Sequence, residues 1–93
     1  FKEAQAKTGE REKNDLRQKL IREYNLFADV RKNPLRAWSE MEYKAFMSQV
    51  RDYEALGGND FIHKTVLPAM SVLEIVSMDN ITRLEEIMSS RQQ

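Results

Sequence analysis

The sequence predicts an all-α protein, a long N-terminal helix followed by a small bundle of three further helices, and the chain is expected to oligomerise. Apolar residues recur every three or four positions through four separate stretches. The breaks between those stretches fall at Asn33-Pro34, at Gly57-Gly58 and around Ser77 to Asn80, where turn-forming residues gather. Strand patterning is absent apart from a weak "VLEIV" at residues 72 to 76.

Taken in order, "FKEAQAKTG" is polar without apolar periodicity, so residues 1–9 read as a flexible linker. Residues 10–32 read as one long amphipathic helix, because Leu16, Leu20, Tyr24, Phe27 and Val30 fall on one face. Ile21 and Leu26 widen that stripe beyond what a solitary surface helix needs. Leu16, Leu20, Ile21, Tyr24 and Phe27 are therefore the expected contact with a second copy of the chain. Asn33-Pro34 ends the helix, since proline lacks the amide proton and disfavours an α conformation in the residue before it.

After the connector "NPLRAW", Ser39 and Glu42 form a Ser-x-x-Glu capping box, with Trp38 placed to fold over the first turn of the next helix. That helix carries Tyr43, Phe46, Met47, Val50 and Tyr53 and runs to Leu56. Gly57 and Gly58 then supply a left-handed residue to close its last turn, and Asn59 or Asp60 can cap the third helix. A phosphate cradle needs another glycine spacing after a strand, so Gly57, Gly58 and Asn59 read as a hinge. Ile62, Val66, Met70 and Leu73 mark that third helix, flanked by Phe61 and Ala69 and interrupted by Pro68, whose ring should kink or end it near Leu67. Ser77 or Asn80 caps a last helix with the stripe Ile81, Leu84, Ile87 and Met88, which completes a helical bundle over residues 39–90.

Ninety-three residues make one small domain that buries less of its surface than a large one, so self-association is an expected source of stability. With no cysteine there is no disulfide framework, thiolate metal site or thiol nucleophile, and the host-cell cytoplasm is the default compartment. No run approaches the roughly 18 apolar residues of a membrane span, and the N-terminus is too polar for a signal peptide. No membrane contact is expected within this chain. It opens on Phe1 in place of Met, which suggests a trimmed N-terminus.

The formal net charge of zero hides a split. Residues 1 to 38 hold ten Lys/Arg against six Asp/Glu, a net of +4, and residues 39 to 93 hold five against nine, a net of −4. Such a dipole suits a basic arm for nucleic acid, or an antiparallel contact between copies. Arg11, Lys19, Arg22, Arg31 and Lys32 are the candidate contact residues for nucleic acid or a partner, the first three lying roughly on one side of the first helix.

Candidates for chemistry are few. His63 is the single histidine, so a paired imidazole metal site cannot form and no nucleophile and base can be matched around it. Glu85 and Glu86 are adjacent and point apart on a helix. Asn80-Ile81-Thr82 matches an N-glycosylation acceptor with no signal peptide to support it. Met47, Met70 and Met88 fall on expected core faces. The reading is a protein without catalytic residues, metal or cofactor.

Two motifs carry a resemblance. "KLIREYN" at Lys19 to Asn25 and "YEALGGN" at Tyr53 to Asn59 are similar to a group of small bacteriophage proteins, over about residues 14 to 75. In those proteins a helix ends in Leu-Ile-x-x-Tyr-Asn, a second ends in Tyr-x-x-Leu-Gly-Gly-Asn, and a third comes after it. The layout also resembles the podovirus membrane-anchored replication organisers, whose helical part dimerises and binds DNA without sequence preference. This sequence lacks the anchor, adds a helix over residues 78 to 90 and is less basic. The resemblance implies a non-enzymatic scaffold or organiser of phage type that self-associates, with nucleic acid as candidate ligand. The alternative is a protein-binding module, such as a host-factor inhibitor or a virion component.

Overall fold

A computed structural model describes residues 2–58 and 61–92, with side chains from residue 9 onward. The elements in chain order are α1 (Lys2–Phe27), β1 (Ala37–Ser39), α2 (Glu40–Ala55), a π turn (Ile62–Val66), α3 (Leu67–Met70), β2 (Glu74–Val76) and α4 (Ile81–Arg91). The protein is mostly helical, with one small sheet. It is elongated, at 53 × 24 × 21 Å, because α1 is much longer than any other element.

Helix α1 begins at Lys2, within the stretch expected to be a linker, and ends at Phe27, before Val30. Its end has a specific cause. The buried Asn33 donates through Nδ2 to the Phe27 carbonyl at 2.8 Å, and the Asn33 amide returns to the Asp29 carbonyl, also at 2.8 Å. Two of the carbonyls near the helix end thereby gain partners, and Pro34 opens the turn beyond it, closed by the Arg36 amide on the Asn33 carbonyl at 3.0 Å. Arg36 itself sits at φ 51°, in the left-handed region, where the chain swings into β1.

The short connector "NPLRAW" runs into strand β1, which takes Ala37 and Trp38 from it together with Ser39. This strand pairs in parallel with β2, Ala37 opposite Glu74, Trp38 opposite Ile75 and Ser39 opposite Val76, and the Glu74 amide extends the ladder to the Arg36 carbonyl at 3.0 Å. An all-α reading therefore needs this correction. Everything from Glu40 to Leu73 is the crossover between two parallel strands, as parallel pairing requires.

The capping box forms as expected: the Glu42 amide donates to Ser39 Oγ at 3.1 Å and the Ser39 amide to Glu42 Oε1 at 2.9 Å. Trp38 packs edge-on to Tyr43, with ring centroids 5.8 Å apart, and joins the residue before the cap to the fourth residue of the helix. At the other end of α2 the Gly58 amide reaches the Tyr53 carbonyl and the Gly57 amide the Glu54 carbonyl, both at 2.9 Å, with Gly57 at φ 87°. This is a Schellman closure with Gly57 in the left-handed position. Gly58 is needed for a different reason, because a Cβ there would overlap the Tyr53 ring. Asn59 and Asp60, expected as caps, lie outside the described residues.

Pro68 does not end the third helix at Leu67. The turn before it widens to π geometry, the Leu67 amide reaching back to the Ile62 carbonyl, and the helix continues to Met70. A proline ring clashes with the carbonyl four residues before it in an α-helix, and a widened turn relieves that clash. Leu73, expected on the helix, instead leads into β2. Helix α4 is capped by Asn80, whose side chain accepts from the Arg83 amide at 3.2 Å. It buries Ile87 and half-buries Leu84, whereas Ile81 and Met88 of the expected stripe are exposed.

The main core joins Leu20, Phe27, Trp38, Phe46, Val50, Tyr53, Ile62, Val66, Met70 and Leu73. Trp38 is its hub, with Phe27 at 5.3 Å and Phe46 at 5.5 Å between ring centroids. A second, smaller cluster of Ala37, Val76 and Ile87 sits under α4.

Candidate functional site

The stripe expected to face another copy is occupied within the chain. Leu20 is fully buried and Phe27 nearly so, both in the main core, and Leu16, Ile21 and Tyr24 pack against it. The cause is the antiparallel seating of α2 on one flank of α1 and of the π turn on the other, where Tyr24 meets Phe61 edge-on at 6.2 Å. In this fold the five residues are core and its margin, and Leu20 has no surface to offer.

The polar side of α1 remains open. Arg11, Lys19 and Arg22 are exposed, and among the described residues none of the three makes an ion pair. At 100° per residue, Arg11 and Arg22 lie within about 20° of each other, roughly 16 Å apart along the axis. Lys19 is turned about 80° aside, toward α2. There it lines an open cleft of about 490 Å³ with Glu12, Asp15 and Asp52 over an apolar floor of Leu16, Ala55 and Leu56. Three carboxylates lining the same cleft lower the attraction of Lys19 for an outside anion. The structure thus brings Arg11 and Arg22 into one row and diverts Lys19.

Arg31 and Lys32 lie in the turn after α1. Asp29 organises that turn: it accepts the Arg31 amide at 2.8 Å and sits 3.5 Å from the Arg31 Nε. The Arg31 amide, with the guanidinium and Lys32 adding to it, holds the Asp29 carboxyl below the usual aspartate range. Lys32 lines a second, polar cleft with Tyr24, Asn25, Ala28 and Asp29. Leu26, Val30 and Leu35 are exposed around this turn, which makes it basic and apolar together.

Sequence reading missed Arg91, a polar group with several partners. Its guanidinium meets Glu42 in a two-pronged pair, Nη1 to Oε2 at 2.9 Å and Nη2 to Oε1 at 3.1 Å, donates to the Ala37 carbonyl at 2.9 Å, and lies 5.0 Å over the Phe27 ring. Burial pushes Glu42 upward, but hydrogen bonds from Arg91 and the Ser39 amide outweigh it and hold the carboxyl below its ordinary value. The only hint in the sequence was the capping box that fixes Glu42. Elsewhere, Arg83 bridges Glu74 at 2.7 Å and Glu86 at 3.4 Å, tying α4 to β2. His63 Nε2 lies 3.6 Å from Glu54 Oε1 across the glycine turn, an ion pair only when the imidazole is protonated. No group of three or more potential metal ligands occurs among the described residues, and no helix among them is long and apolar enough to cross a membrane.

Comparison with protein-family models, with curated proteins and with solved structures returns no match to this chain.

Proposed function

We propose that the protein is a non-enzymatic helical scaffold of phage type that contacts nucleic acid through the open face of α1. The observation that carries this reading is the row of Arg11 and Arg22, exposed and free of ion pairs on a helix whose apolar side is spent on its own core. Two guanidiniums on a rigid rod suit phosphate contact, which positions a protein without reading sequence. Arg31 and Lys32 add two exposed basic groups beyond the helix end. Self-association then uses the exposed apolar residues of the turn, Leu26, Val30 and Leu35, in place of the α1 stripe.

The test is a fluorescence-anisotropy titration of a labelled oligonucleotide over a range of salt, read beside light scattering. The expected outcome is binding at low salt, weakening by ~0.7 to 0.9 log units per log unit of salt for each phosphate contact. No binding by the wild-type chain at low salt overturns the nucleic-acid reading. The same apolar turn favours a second reading, a protein-binding module such as a host-factor inhibitor or a virion component, whose affinity would respond to Val30→Asp and little to salt.

A further inference from the structure

Between α1 and α2, half-buried, one side-chain pair is left incomplete. Gln49 Nε2 donates to Glu23 Oε1 at 3.3 Å, while the other oxygen of each group, Glu23 Oε2 and Gln49 Oε1, is buried without a partner. Two acceptors, on groups already joined by one hydrogen bond, are thus buried without a donor among the described residues. Buried polar atoms are nearly always paired, and one left unpaired carries a desolvation cost. A carboxylic acid supplies what is missing, since its hydroxyl can donate where a carboxylate can only accept.

We infer that Glu23 and Gln49 form a proton-operated clasp between α1 and α2, in which protonated Glu23 donates through Oε2 to Gln49 Oε1 while Oε1 accepts from Gln49 Nε2. The planar amide and the planar acid then share two hydrogen bonds in a ring, and no buried oxygen of the pair is left over. With the proton off, the ring opens to a single bond.

The charged groups around the clasp favour it. Burial acts first to raise the Glu23 carboxyl above its ordinary value; Gln49, across the seam on α2, and Lys19, on the same helix as Glu23, pull it down in part, and the Glu42 carboxylate on α2 pushes it up. The nearest strong cation on α4, Arg91, is committed to Glu42 and the Ala37 carbonyl. Because the folded protein holds this proton more tightly than the unfolded chain, stability falls as pH rises from the ordinary glutamate value through the raised one, and is flat above it. Glu42 behaves oppositely and in a separate window, since its contribution is lost only as pH falls below the ordinary value. The two carboxyls are therefore distinguishable in one titration.

The test uses the whole chain. Carboxyl-labelled glutamate followed by carbon NMR should place the Glu23 midpoint above the ordinary glutamate value. Thermal melts should show Glu23→Gln, a permanent mimic of the protonated acid, matching wild type at the acid end of the window and melting higher than wild type above it. A Glu23 midpoint at or below the ordinary glutamate value overturns the inference, and so does a Glu23→Gln melt with the wild-type pH slope.

Discussion

Gly57 and Gly58 stand side by side for different reasons, and substitution separates them. At Gly57 the space around an added Cβ is open, so Gly57→Ala meets only the cost of holding an L-residue at φ 87°, about 1 to 2 kcal/mol. At Gly58 the backbone angle is ordinary, but an added Cβ overlaps Cδ2, Cε2 and Cζ of Tyr53, a ring that is 1% exposed and belongs to the main core. The ring cannot swing out to solvent, so Gly58→Ala forces a shift of core or backbone, about 1 to 3 kcal/mol as for other overpacked sites. Either cost is large against a total stability of roughly 5 to 15 kcal/mol. Urea unfolding followed by the fluorescence of the single, buried Trp38 measures both. The decisive comparison is a double-mutant cycle with Tyr53→Leu, which removes the ring. Gly58→Ala should cost much less in that background, while Gly57→Ala should cost the same in both. A Gly58→Ala midpoint equal to wild type, or a cost unchanged by Tyr53→Leu, refutes the steric account.

The same geometry sets other expectations. Leu20→Ala should destabilise by about 2 to 5 kcal/mol in an equilibrium melt at any protein concentration, because the side chain is core and not an interface between copies; a concentration-dependent loss would point to the interface instead. Neutralising Arg11 and Arg22 together should lower the salt slope of oligonucleotide binding by ~1.4 to 1.8, whereas Lys19→Gln, among its carboxylates, should change it far less. Asn80→Ala should cost about 1 kcal/mol through loss of the α4 cap, seen as faster amide exchange in its first turn. Arg91→Met should reduce the acid-side loss of stability that wild type shows below the ordinary glutamate value, since Glu42 then keeps only its bonds to Ser39 to hold its proton off.

What could be read in the sequence was whatever depends on neighbours along the chain. The Ser39–Glu42 box, the Gly57 closure and the Asn80 cap each involve residues a few positions apart, and each formed. The strands were hidden because "AWS" and "EIV" are too short to display alternation, and their pairing joins segments on either side of the whole crossover. The start of α1 was hidden because apolar periodicity reports burial rather than helicity, and residues 2 to 9 carry no apolar stripe. For the basic row, helical spacing alone placed Arg11 and Arg22 together, but the diversion of Lys19 depends on Asp52, which only the folding back of α2 brings near. Arg91 was illegible for the same reason, its partners Glu42 and Ala37 lying most of the chain away.

The division of the interior into two unequal clusters sets a hierarchy of opening. Helix α4 rests on three buried residues, Ala37, Val76 and Ile87, and on the polar ties of Arg83 and Arg91, whereas α1, α2 and the π turn share the large aromatic cluster. Detaching α4 would wet Ala37, Val76 and Ile87 and uncover one side of Phe27, yet leave Val50, Tyr53, Ile62 and Val66 dry. Amides of α4 should therefore exchange with solvent through a local excursion well below the free energy of global unfolding, and a protease admitted by that excursion would trim the chain from its C-terminal side while the aromatic core stayed closed.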